Sequence, residues 1–563
     1  MFQNFFIFIT SYIFITLAVL GYGFYVNSLF KKIYYHNNIG YIGLIGIFFL
    51  VIYSYLSSII YSHGPYHNLI ILFIGFFIFL KKSKIYKYFF KRNFHYLIVI
   101  FSISIIGLFI FKTHDDFLYY HFQYSYHLTQ QPLLIGLGNF DLGLRTPSSL
   151  FYLNSLFYLP VIDYYLFQIT PALILIFSNL IILVKLKKDI IKKRCNFLTI
   201  YNLLVFIFIN IFFYRISEHG TDRSAQILIL ILFSEILLFI NFQIIKKNII
   251  SKLFIIVGLV ISFKAFYVLY SIFFIIIIIH YLKFHISIKK IILKFLSNYY
   301  FLSFLLLFFL VIFHNFLITG CLVYPVSLTC FDNNIWAIKT DEVIKLNDWY
   351  EQWSKAGAGP NYRVDDPAEY IKNFNWVSNW FDKYFFNKVS DFLIGIIILS
   401  GFVFYFLKSN KLIVQTNKKI TLLICLILIL LFEWFYNHPA LRYGGYCLIA
   451  SLFFIFTSIL LDRYSIDYDK ISKKIIILII ITFTIFIYRN VNRINYEVKN
   501  YDYKPFQSFF YKINNNAFKL QNNLEYLINN YEECKNFNRN CKTNQTLKIR
   551  VEKKYGKYIF FQL

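Results

Sequence analysis

The chain has 563 residues, 58% of them hydrophobic, 22% aromatic and only 15% charged, and it carries many unbroken apolar runs long enough to cross a bilayer. That composition sets it apart from soluble globular proteins and predicts an all-α polytopic membrane protein. A net charge of +28 would suggest nucleic acid in a soluble protein, but the basic residues here cluster in short loops between apolar runs, where they set orientation, so no nucleic-acid partner is expected.

The first apolar run, Phe5 to Phe30, has no positive leading segment and no small-residue cleavage site, so it reads as a retained helix. Basic loops follow at 31–38, 81–93, 185–194, 246–252, 283–290, 408–419 and 462–474. Placing all of them in the cytoplasm threads the chain through about fourteen spans with an outside N-terminus. The result is N-terminal helices (1–112), an outside acidic loop with interfacial helices (113–163), central helices (164–318), an outside Trp-rich loop (319–391), C-terminal helices (392–488) and an outside tail (489–563). The stretch 253–282 divides into two short helices meeting near Lys264. The tail ends in "TLKIRVEKKYGKYIFFQL", whose alternation predicts paired strands in a small α/β-like lobe.

The acidic loop opens with "KTHDDFLYYH" (112–121), directly after an apolar run. Two carboxylates at a helix C-terminus are disfavoured by its partial negative charge unless a new helix begins at once. A helix starting near Asp116 puts Asp116, Tyr120, Gln123 and His127 on one stripe, which predicts a helix lying flat on the outer leaflet with its aromatic side down. Capping needs one carboxylate. Asp115 and Asp116, flanked by His114 and His121, exceed that need, and an interfacial acid is well placed as a general base. The Gly- and Pro-rich stretch 130–160 should fold back along the membrane beside this helix; within it, Arg145 suits an anionic lipid head, while Ser148, Ser149 and Asn154 suit either a polyol or local capping.

Further along, "EHGTDR" gathers Glu218, His219, Asp222 and Arg223 in one outside turn. Lys264 interrupts an apolar run, which is costly unless it pairs, snorkels or lines a polar cavity. Glu235 and Glu433 are embedded acids, read as partners for such cations or as members of a proton path. In "HPALRYGGY", a Pro before Arg442 and two Gly after it set a guanidinium at the membrane edge beside His438, and its fork suits a phosphate.

Cysteine placement agrees with the threading. Cys321 and Cys330 share one outside loop and Cys534 and Cys541 share the tail, each pair close enough to bridge in an oxidising compartment, whereas Cys195, Cys425 and Cys447 fall elsewhere. The histidines lack zinc spacing and no metal site is assigned, although Asp115, Asp116 and a lipid phosphate offer oxygen ligands to a divalent cation. No Gly-rich phosphate loop follows a strand. Nucleotide sugars are not found outside the cytoplasm, so a glycosyl donor used there would be lipid-linked.

The segments "HDDFLYYHFQYSYHL", "GLGNF", "RTPSSLFYLNSLFYLP", "GCLVYPVSLTC" and "HPALRY" resemble a group of bacterial membrane proteins found among surface-polysaccharide genes. More broadly, the acidic loop resembles that of the C-type glycosyltransferase superfamily (GT-C), although here it follows the fourth predicted span instead of the first. The resemblance implies a polyprenyl-phosphate sugar as donor, a lipid or glycan as acceptor and the bacterial inner membrane as location, with the site facing the periplasm. It implies an inverting transfer in which Asp115 or Asp116 is the base and Arg442 and Lys264 receive the departing phosphate. His114, His121, Arg145, Glu218, His219, Arg223 and His438 are the further candidates for substrate contact. An oligosaccharide polymerase or ligase using outside arginines and a histidine, and a lipid-linked sugar transporter using Lys264, Glu235 and Glu433, remain alternatives.

Overall fold

The computed structural model describes residues 3–562 apart from 31–37, 86, 194, 242–246, 360–363, 409–419, 465–467, 506–510, 532–548 and 555. The chain is mostly helical, with one small sheet near its C-terminus. Among the described residues, nine helices are long and apolar enough to cross a membrane, and four shorter apolar helices accompany them. By length and composition this is a multi-pass membrane protein.

The spans divide by burial into an inner and an outer set. Ile39–Ser58, Tyr164–Ile191 and Gly220–Asn241 are more than four-fifths buried by their neighbours, whereas Tyr299–Thr319, Val377–Leu407 and Lys470–Tyr501 are no more than a third buried, leaving broad apolar faces for lipid. Between apolar helices, tight packing depends on small residues. A Cβ on Gly21 would lie 1.9 Å from the carbonyl oxygen of Gly75, so the two helices meet there only because neither carries a side chain. The embedded acid Glu235, fully buried on an inner helix, is met by Tyr41, Lys185 and Lys252. A buried carboxylate persists only with such partners. Glu433 accepts from Asn437, one turn along its own helix.

Three non-spanning segments interlock at one end of the bundle. The predicted strands form an antiparallel hairpin, Ile549–Lys554 with Lys557–Gln562, and the second strand bridges Ile135 in the "IGLGNF" segment. Asn139 donates to the carbonyls of Trp336 and Phe560, tying the loop 319–391 to the tail. Arg145 is fully buried, and its guanidinium donates to Gly138 and to Glu342 at 2.7 Å. Ser148 and Ser149 are buried as well; Ser148 caps the helix Ser149–Ser155 and donates to the carbonyl of Phe263, while Ser149 bonds Ser262. These side chains hold the lobe to the membrane body.

The stripe expected along the helix that begins at Asp115 is only partly open: Asp116, Tyr120 and Gln123 are half-buried, while His127 is buried and meets Gln521 of the tail. The tail thus covers the far end of that stripe. The helix Tyr468–Tyr501 runs unbroken past Arg489, so the segment from 489 opens with the end of that helix.

Candidate functional site

Where the lobe meets the bundle, four side chains distant in sequence form one ionic chain. Asp116 Oδ2 accepts from Arg442 Nη2 at 2.7 Å; Arg442 Nε donates to Asp222 Oδ2 at 2.9 Å; Lys264 Nζ donates to Asp222 Oδ1 at 2.7 Å. Each residue is placed by a local break in regular structure. Asp116 stands at the head of a π-helical turn, Phe117–His121, and its side chain makes no capping bond. Its carboxylate faces Arg442 instead. Asp222 follows a kink in the helix Ile216–Asn241 at Gly220, whose φ of +50° favours a residue without a Cβ. Lys264 is the extended residue between the helix Lys247–Phe263 and the 3₁₀ segment Ala265–Phe273, at the predicted junction.

Arg442 sits in the turn between the helices Thr421–Asn437 and Gly445–Asp462, and three carbonyls of that turn accept side-chain hydrogen bonds. Trp380 Nε1 donates to Pro439, Trp434 Nε1 to Ala440 and Gln226 Nε2 to Arg442 itself, at 2.8–3.0 Å. Gly444, at φ +112°, closes the turn. A guanidinium so anchored is pre-set instead of being ordered at the moment of use.

The aromatic surroundings face the same cations. Lys264 Nζ lies 4.5 Å from the centre of the Tyr443 ring, and the Arg442 guanidinium lies 5.6 Å from both Tyr443 and Trp353. Trp353 belongs to the helix Thr340–Lys355, so the Trp-rich loop forms one wall of the site. His438 packs by Phe266 and Tyr443. His114 Nδ1 accepts the Asp116 backbone N–H and stands 3.6 Å from its carboxylate.

Charge and burial set the protonation states. Burial alone would raise the Asp116 carboxyl, but Arg442, by charge and hydrogen bond, with help from His114 and His121, holds it below the usual carboxylate range. Burial pushes His121 down to about 3, and burial with Lys355 and Lys264 nearby pushes His438 down to about 4, so both imidazoles are neutral. Buried in the same place, Arg442 would lose affinity for its proton; Asp222 and its other anionic neighbours outweigh that and raise it well above its ordinary value.

The two carboxylates of the chain differ in what they have left to offer. Both oxygens of Asp222 are engaged and its side chain is 7% exposed, which makes it the organiser of the two cations. Asp116 is 27% exposed, and only Oδ2 is bonded to Arg442. Its Oδ1 accepts no hydrogen bond among the described residues. Asp115 is exposed and stands outside the chain of ion pairs.

Of the residues singled out from sequence, Asp116, Lys264 and Arg442 are brought together, with His114, His121 and His438 around them. Arg145 pairs with Glu342 instead. Arg223 points away into an aromatic cleft between Phe213 and Tyr446. The side chains of Glu218 and His219 lie outside the described residues, as do Cys534 and Cys541. Cys321 and Cys330 form a disulfide, and Cys195, Cys425 and Cys447 are free. Glu235 has its own lysine partners, apart from Lys264. Asp222, which the sequence offered only as one member of the "EHGTDR" cluster, and Trp353 and Tyr443 carry more of the site than their sequence context signalled. Among the described residues no group of three or more His, Cys, Asp or Glu is arranged for a metal ion. The Arg442 guanidinium fills the place between Asp116 and Asp222 that a bridging cation would need.

The fold and site thus define a multi-pass helical membrane protein with a partly open ion-pair centre under an extramembrane lobe. By a match of its family model over residues 5–449, the chain belongs to the family described as a domain of unknown function, DUF8201. No curated protein and no solved structure matches it.

Proposed function

We propose that the chain is a GT-C-like membrane glycosyltransferase, with about fourteen spans, that moves a sugar from a polyprenyl-phosphate donor to a lipid or glycan acceptor at the periplasmic face of the bacterial inner membrane. The observation that carries this reading is the division of labour in the ionic chain: Asp116 keeps one oxygen uncommitted beside two anchored cations. In the transfer, the acceptor hydroxyl gives its proton to Asp116 Oδ1 as its oxygen bonds the anomeric carbon. The bond from that carbon to the phosphate oxygen breaks, and its electron pair leaves with the phosphate. Arg442 and Lys264 meet the charge that grows there.

Protonating Asp116 cancels its hold on Arg442. The guanidinium is then released to the leaving phosphate at the step that needs it, which couples base and electrophile through one ion pair. A depressed carboxyl is a weak base, so proton transfer must be late, after the glycosidic bond has lengthened and the hydroxyl has become acidic. The disulfide Cys321–Cys330, in the loop that also carries Trp353, supports an oxidising compartment on this side.

The test is incubation of the purified protein with polyprenyl-phosphate sugars. Release of polyprenyl phosphate in step with sugar transfer is the expected result. Movement of the intact lipid-linked sugar across the bilayer, with no phosphate released, would establish the transporter alternative instead.

A further inference from the structure

A second cationic site lies on the same end of the protein and is not part of the ionic chain. The helix Tyr468–Tyr501 has 34 residues, so it is about 50 Å long against a hydrocarbon thickness of about 30 Å. Its final turns, from Arg489, are polar and extend past the apolar run 475–488. They place Arg489, Asn492, Arg493 and Tyr496 at i, i+3, i+4 and i+7, on one face. That face meets Lys112 and Arg215 across a pocket of about 480 Å³.

Among the described residues, four basic side chains and one carboxylate, Glu497, line this pocket. That carboxylate is committed to the wall: its Oε2 accepts the Phe111 backbone N–H at 2.9 Å, and Oε1 lies 3.5 Å from Arg493. The arginines are held as well. Arg489 stacks on Tyr214 at 4.0 Å and donates to the carbonyl of Ile211, while Arg493, 7% exposed, bonds Asn490. An anion seated in the pocket would meet several positive charges at once. Three guanidinium forks match the oxygens of a phosphate better than they match a single carboxylate.

We propose that this pocket binds a phosphate-bearing anion, either the headgroup of a membrane lipid or a soluble phosphate of the same chemistry, at a site distinct from Arg442. Lys112 leads into the acidic loop and Arg215 into the helix that carries Asp222, so an anion here also steadies the two segments that position the ionic chain. The proposal stands on the pocket alone and does not require sugar transfer.

The test uses the full chain in phosphatidylcholine nanodiscs, titrated with inorganic pyrophosphate with and without phosphatidylglycerol in the disc. The wild type should bind pyrophosphate saturably, more weakly as salt rises, and Lys112→Gln with Arg215→Gln should weaken binding at least about tenfold. Competition by phosphatidylglycerol identifies the lipid source, and its absence the soluble one. Changing the exposed Lys339 and Lys372 to Gln should leave binding intact. Should the double variant lower the melting temperature without ligand, Lys112→Glu at its exposed position replaces it, with the same expected loss. The proposal is overturned if pyrophosphate does not bind saturably, if the Lys339 and Lys372 control weakens it equally, or if Arg442→Gln abolishes binding that the Lys112 variants retain.

Discussion

Arg442 donates to two carboxylates at once, through Nε to Asp222 and through Nη2 to Asp116. A lysine ammonium has charge but no planar fork, so Arg442→Lys should keep the fold while lowering turnover about ten- to a hundredfold, as read by steady-state kinetics. The neutral His121 gives a second prediction. Its folded pKa, about 3, lies below the unfolded value of about 6.5, so the unfolded chain binds more protons as pH drops. Stability is then full above about pH 6.5 and declines below it, by up to about 1.4 kcal/mol per pH unit for this one group. Melting temperature between pH 5 and 8 should show that slope, and His121→Gln should flatten it; an unchanged slope would assign it to other groups. Asp116 works at lower pH: its depressed carboxyl stabilises the fold above the usual carboxylate range and loses that effect as pH falls through its folded value. Asp116, Lys264 and Arg442 were legible in the sequence because each breaks an apolar or turn pattern where charge is costly. Their mutual contact was not, because the bonds span 42, 220 and 326 residues of chain, and no local pattern encodes that.

Among the elements, the turn that holds Arg442 depends most on one residue. Gly444 has φ +112°, and a Cβ there would lie 2.9 Å from the Tyr270 hydroxyl. Gly444→Ala should therefore cost about 1–3 kcal/mol and lower transfer more than Gly401→Ala, where an added Cβ meets open space. Thermal unfolding and turnover, measured on both, separate the two effects. The disulfide Cys321–Cys330 closes the start of the lobe that carries Trp353. Cys330→Ser should cost a few kcal/mol of local stability, seen as faster proteolysis within 319–391 while the membrane helices stay folded. The terminal hairpin was readable from its alternation, a pattern of period two that needs no tertiary information. The helix from Asp115 was readable as a helix, but not in its surroundings: the same aromatic residues that suit a lipid surface also suit a protein cover, and only the packing of the tail decides between them.

For the whole molecule, the bilayer made the helices legible, since its thickness fixes the length of an apolar span whatever the fold around it. The arrangement of spans into buried and lipid-facing sets was hidden, because Leu, Ile and Phe serve equally in both environments. The threading that puts the acidic loop outside predicts that Tyr119→Cys, at a position 66% exposed, reacts with a membrane-impermeant thiol reagent in intact spheroplasts. Labelling only after lysis would reverse the topology. The central claim, that Asp116 is the base of a sugar transfer, is tested most directly by turnover of purified Asp116→Asn and Asp115→Asn on a polyprenyl-phosphate sugar. Asparagine keeps the size and one oxygen acceptor but cannot take the proton, so Asp116→Asn should lose about two to four orders of magnitude in turnover, while Asp115→Asn, outside the ionic chain, stays near wild type. Full activity in Asp116→Asn, or an equal loss in both variants, would contradict the account.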